Sequence, residues 1–159
     1  MAQRKYHTVT VTPVCKTGAA VDDADVLFNP VKIPGACPRD AASLLKSAVM
    51  VDTDDNQAAV DLYFFQVSKD LGTLGDVIDI TDANLLLAKP LGCVTMPALS
   101  GGVGDYILGN ISTLADIDLV VQSDGDDNDE GAIYVAGIAT ATKTYSASGL
   151  VFTFGFEVL

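Results

Sequence analysis

The sequence predicts a mostly β chain, an antiparallel β-sandwich or jelly-roll-like fold with one short helix near residues 82–88. Three observations carry that reading. Runs of period-two alternation recur along the chain, as half-buried strands require. Turn-forming residues separate the runs. Only one stretch carries helix start and stop signals, whereas a parallel α/β sheet needs a helix between successive strands.

The first run is His7-Thr8-Val9-Thr10-Val11-Thr12, with Val9 and Val11 on one face and threonines on the other. Pro13 ends or edges it, because proline cannot donate to a ladder. Asp25–Val31 is extended through Val26-Leu27-Phe28 and is expected to close at Asn29-Pro30, before an irregular stretch with Pro34, Gly35 and Pro38. Ser43–Asp52 is a third strand. A short helix from Asp40 through Leu44-Leu45-Lys46 is the alternative, but β-branched residues follow and no cap closes it. Thr53-Asp54-Asp55-Asn56 is a turn by composition.

Val60–Val67 is aromatic and branched, with Phe and Tyr on both faces, which places it centrally with both sides covered. The helix follows. Thr81 is a good N-cap, Asp82 suits the positive helix start, and Pro90 stops it after Leu85-Leu86-Leu87-Ala88-Lys89. At about two turns it must be held by packing. Cys93–Met96 is a short strand, and Gly101, Gly102 and Gly104 mark a turn before Tyr106-Ile107-Leu108. Ile117–Gln122 and Ala132–Ala136 are strands expected to form a hairpin across the acidic loop between them. In the last run Phe152, Phe154, Phe156 and Val158 share one face, the expected core stripe.

With 159 residues, no internal repeat and no linker, residues 1–159 read as a single domain, with 1–12 an N-terminal arm or edge strand. An apolar share of 49% excludes a disordered composition. Nine Lys+Arg against 21 Asp+Glu give a net charge of −12, which repels phosphate and argues against direct nucleic-acid binding. The basic cluster is Arg4-Lys5. No apolar run is long enough to cross a bilayer. Met1–Lys5 followed by an alternating stretch is no signal-peptide core, so a chain made in a cytoplasm and left soluble is expected.

Chemistry-bearing groups are sparse, and no catalytic, cofactor-binding or metal-ligating residue is assigned. Cys15, Cys37 and Cys93 are widely spaced, no CxxC occurs, and the single histidine is His7, so zinc lacks plausible ligands. Buried or free thiols are expected, with a single disulfide the alternative. Asp124, Asp126 and Asn128 match the first three ligand positions of a calcium loop, but Asp129 stands where glycine is needed and Val135 where the final Glu belongs. A looser calcium site in 123–131 and a solvated loop tip both remain open. Asp52, Asp54 and Asp55 form a second acidic turn. Nucleophilic catalysis needs an activating base, and His7 is the only imidazole. Gly101-Gly102-Val103-Gly104 lacks the Gly-Lys-Ser/Thr of a phosphate loop.

The order of segments resembles a family of small bacteriophage capsid decoration (cement) proteins. Val60-Asp61-Leu62-Tyr63-Phe64-Phe65 precedes Ile80-Thr81-Asp82-Ala83-Asn84-Leu85, then Lys89-Pro90-Leu91-Gly92-Cys93-Val94, and Gly131-Ala132-Ile133-Tyr134-Val135-Ala136-Gly137 comes before the final strand. The resemblance covers about residues 44–159. It implies a non-enzymatic β-sandwich subunit on the outside of an icosahedral shell, bound to the major capsid protein and often trimeric. Arg4-Lys5 and the first strand would then be an arm that adds to a neighbour's sheet edge. Another virion component (tail, fibre or head-completion protein) and a cellular carbohydrate- or calcium-binding module are the alternatives. Apolar residues on the second faces of the Phe65 and Val151 strands are candidate contact positions.

Overall fold

A computed structural model describes residues 5–39, 41–98, 110–125 and 131–159. Arg4, Asp40, the Gly101–Gly104 turn, Tyr106–Leu108 and Asp126–Glu130 lie outside the described residues. Among the described residues, nine strands and one helix follow in order: β1 Lys5–Val11, β2 Val26–Ile33, β3 Ala42–Asp52, β4 Val60–Phe65, α1 Asp82–Leu87, β5 Pro90–Met96, β6 Ile111–Leu114, β7 Leu119–Gln122, β8 Ile133–Ala139 and β9 Leu150–Val158.

Two antiparallel sheets face each other. The first runs β1-β9-β3-β6, with β7 also on β3, and the second runs β2-β8-β4-β5. Strand β6 pairs with Ala48–Val51 of β3, while β7 pairs with Ala42–Leu45 of the same strand. The two therefore act as one interrupted strand. Counted that way, four strands face four, and every connection crosses between sheets except β4 to β5. This is the double-sheet jelly roll.

Between the sheets the phenylalanine stripe is the core, as the alternation predicts. Phe152, Phe154 and Phe156 are buried against Phe28, Phe64, Leu62, Ile133 and Met50. Rings meet across the gap at 5.6 Å, Phe28 on Phe152 and Phe64 edge-on to Phe154. The cysteines are free, with Cys15 and Cys37 buried and Cys93 exposed.

Gly137 shows how tightly the layers fit. It faces inward on β8, and a Cβ there would lie 2.2 Å from the Phe28 ring, which occupies the vacant volume. Gly137→Ala should cost about 1–3 kcal/mol by overpacking. Adding Phe28→Leu should recover part of that loss in chemical unfolding. Strictly additive losses would mean that the two positions do not share this space.

Three local expectations are corrected. Strands β7 and β8 form no hairpin, because β7 joins β3 in the first sheet and β8 sits between β2 and β4 in the second. Asn29-Pro30 does not close β2. The strand passes through them with register shifts between Phe28 and Val31, and continues to Ile33. A proline is tolerated there because β2 is an edge strand with an irregular ladder. The helix is present, with Thr81 accepting from the Asn84 backbone N–H at 3.2 Å, but none of its residues is buried. Its support comes from the cap and from Ala88, buried just beyond its end.

Candidate interaction surface

The polar clusters suggested by the sequence are occupied in holding loops together. Asp52 ends β3 at 1% exposure, and its carboxylate accepts the backbone N–H groups of Asp54 at 3.0 Å and Gln57 at 2.8 Å. Burial raises its pKa above the usual carboxylate value. Asp54 accepts from both the backbone N–H and the hydroxyl of Ser146, at 2.8 and 2.5 Å, and Asp55 accepts from the Asn110 amide. The acidic turn is thus latched to the loop before β9. Among the described residues no group of three His, Cys, Asp or Glu side chains could hold a metal ion. Asp124 pairs with Lys89, while the rest of that acidic loop, Asp126–Glu130, lies outside the described residues.

His7 is also structural. Its Nε2 donates to the Gly35 carbonyl at 2.8 Å, and its ring stacks on Phe156 at 5.5 Å. Burial pushes the Cys37 thiol pKa up and raises that of Cys15 to about 12, so neither is a ready thiolate.

A shallow dent of about 400 Å³ lies on the first sheet among Tyr6, Thr8, Lys46, Ser47 and Gly155. It has a local cause. Strand β3 shifts register on β9 between Leu45 and Ser47, and the facing Gly155 leaves room only for the Ser47 hydroxyl. Lys46, beside the irregularity, pairs with Asp118.

The other face of the molecule behaves differently. Between β4 and β5 the chain makes a 24-residue excursion, 66–89, over the outside of the second sheet. Asn29 staples it to β2: its amide donates to the Gly72 carbonyl at 2.9 Å and accepts the Leu71 N–H at 2.8 Å. Backbone bonds from Val26 to Asp76 and from Gly75 to Val26, at 2.9 and 2.8 Å, complete the seam. The corrected Asn29-Pro30 bulge is therefore the point where the excursion is fastened.

Beneath the excursion lies a second apolar cluster of Val26, Phe65, Leu71, Ala88, Ala136 and Ile138. On the second face of β4, Phe65 is 3% exposed inside that cluster, whereas Tyr63 is 37% exposed. The outer side of the excursion is apolar too. Val77 is 66% exposed, Ile78 41%, Leu86 75% and Leu87 57%, with Leu85 and Tyr63 both at 37%. Tyr63, Ile78 and Leu85 also line a groove of about 180 Å³ whose floor is Phe65, Leu71, Ile80 and Ile138. Burial, and then the nearby Asp61 and Cys93, raise the Tyr63 phenol pKa above its usual value. Hydrophobic residues scattered singly need no explanation, whereas Tyr63, Ile78 and Leu85 gathered around one groove on a fastened support form a candidate binding surface.

The sequence predicts a short helix held by packing, with Leu85, Leu86 and Leu87 within it. Successive helical residues turn by about 100°, so three consecutive leucines cannot all face one way. That was the available signal for this surface.

No family model matches the chain, and no curated protein matches it. Loose likenesses to solved structures exist. One is a tomato aspermy virus structure at 12% identity and TM-score 0.42, covering 99% of this chain and 78% of that chain. A Desmodium yellow mottle tymovirus structure matches at 12% identity and TM-score 0.31, over 99% and 82%. A mud crab dicistrovirus structure matches at 8% identity and TM-score 0.24, over 98% and 67%. At these scores the likenesses carry no argument about this chain's role.

Proposed function

We propose that this chain is a non-enzymatic structural virion protein that decorates and stabilises the outside of a bacteriophage capsid. It would act as a single domain and a homo-oligomer bound to the major capsid protein. The carrying observation is the exposed apolar groove of Tyr63, Ile78 and Leu85, with Val77, Leu86 and Leu87 exposed next to it in sequence, on a chain of net charge −12. Such a surface lowers free energy when a partner covers it, at roughly 25 cal/mol per Å² removed from water. The acidic and imidazole side chains described above are meanwhile engaged in fastening loops and strands.

Two further points support the reading. The jelly roll is an architecture used by viral capsid and lectin domains, although fold alone does not fix function. The resemblance of residues 44–159 to decoration proteins points the same way. In the test, the purified chain is mixed with phage heads stripped of their decoration protein, then sedimented. Binding that saturates and raises the heat resistance of the shell is expected. Binding confined to tails, or a melting shift of the free chain with calcium or glycans and none with heads, would replace this reading.

A further inference from the structure

We infer that the apolar face of residues 63–87 docks a different protein, one presenting an apolar segment rimmed by lysine or arginine, and that it is not the chain's self-association surface. This rests on the capsid-binding reading and names the chemistry of the partner's contact.

The occupant follows from charge. Exposed Asp76, Asp79 and Asp82 punctuate the same stretch as Val77, Ile78 and Leu85–Leu87, and Asp70 is exposed earlier in the excursion. The two cations of 66–89 are Lys69 and Lys89, and Lys89 is engaged by Asp124. A two-fold contact places the same patch on both partners. Self-pairing here would therefore bring this row of carboxylates against its own copy, between protomers of net charge −12 each. Like charges juxtaposed across an interface are costly and suppress wrong partners. A basic rim converts the same carboxylates into attractive contacts, and makes association faster and salt-dependent. The groove then receives apolar anchors, and the row of carboxylates sets orientation.

The support is held in shape before binding. Asn29, the Val26 backbone pairs and buried Ala88, whose carbonyl accepts the Val67 N–H at 3.0 Å, fasten the excursion to the second sheet. A partner therefore meets a surface whose ordering cost has already been met in folding. A two-fold contact between copies of this chain must therefore lie elsewhere.

Two amphipathic helical peptides with the same leucine face serve as probes, one flanked by lysines and the other by glutamates. Titrated into the isotopically labelled full chain, the lysine peptide should shift the backbone amide signals of 63, 77–80 and 82–88. The glutamate peptide should bind at least tenfold more weakly. Raising salt from about 50 to about 300 mM should weaken the lysine peptide severalfold, as screening shortens its reach. Leu86→Asp should abolish its binding and leave the oligomeric state in analytical ultracentrifugation unchanged. Leu86 is three-quarters exposed, so the variant should fold, which its unchanged spectrum would verify. Equal binding of the two peptides, or loss of self-association in Leu86→Asp, overturns the inference.

A parallel arm uses stripped heads. If the wild-type chain binds them and Leu86→Asp binds equally, the inference fails while the capsid reading stands. If the wild type ignores heads but the peptide results hold, the capsid reading fails and the surface chemistry survives.

Discussion

Replacing Phe154 with alanine should lower the stability of the chain by about 3–5 kcal/mol, measured by chemical denaturation at neutral pH. Phe154 is fully buried at the middle of β9. It meets Phe64 of the opposite sheet edge-on at 5.6 Å and lies parallel to Phe152 at 5.9 Å. Truncation would remove its transfer free energy, leave a cavity, and cancel both ring contacts at once. Domains of this kind have about 5–15 kcal/mol in total. A loss of this size would therefore leave the variant partly unfolded at moderate temperature. Phe154→Leu, which keeps most of the volume, should cost less than half as much. Equal losses from the two variants would mean that the ring is not wedged between the sheets.

That stripe was legible in the sequence because the information is local. A two-residue repeat fixes which side chains share a face, so Val9 and Val11 of β1 and the phenylalanines of β9 could be placed without coordinates. Alternation does not name a strand's partner, and there the sequence reading failed. β7 and β8 have hairpin-like spacing, yet β7 finds its mate far back in the chain, with Leu45 opposite Leu119, 74 residues earlier. Strand β6 escaped notice for a different reason. Of its inward residues Ser112 and Leu114, Ser112 lies opposite Met50 and donates to the Pro97 carbonyl at 2.8 Å. A polar residue on the core side erases the pattern.

The surface was legible only in part, for a related reason. Exposure of Leu85–Leu87 follows from the way the excursion is carried, and that depends on Asn29 reaching residues 71 and 72. In sequence, Asn29-Pro30 reads as punctuation, because Asn and Pro usually mark turns. In the fold the same asparagine substitutes for a strand partner. A six-residue helix with three successive leucines cannot bury them all against one support.

Alkaline titration should expose the buried end of the sandwich. Cys15 is 2% exposed, and its thiol pKa is raised from 9.0 to about 12 by burial first and then by Asp54, with Asp52 a smaller contributor. The buried Tyr145 phenol is raised in the same direction from 10.0, by burial and then by Asp52, Cys15 and Asp54. Both groups are acids whose neutral forms the fold prefers. Between the ordinary and the raised values, the folded chain holds protons that the unfolded chain has released. The stabilisation is therefore complete below about pH 9 and is lost as pH climbs toward about 12. For the thiol alone, three units correspond to about 4 kcal/mol as a ceiling. The two groups sense each other and the same carboxylates, so their losses should not add in full. Cys15→Ala should cost little more than roughly 1 kcal/mol near pH 8, the worth of the lost side-chain contact. Its stability should then fall less steeply than the wild type's from about pH 9 to about pH 11.5. Parallel stability curves for the two proteins across that range would show that the thiol does not carry the loss.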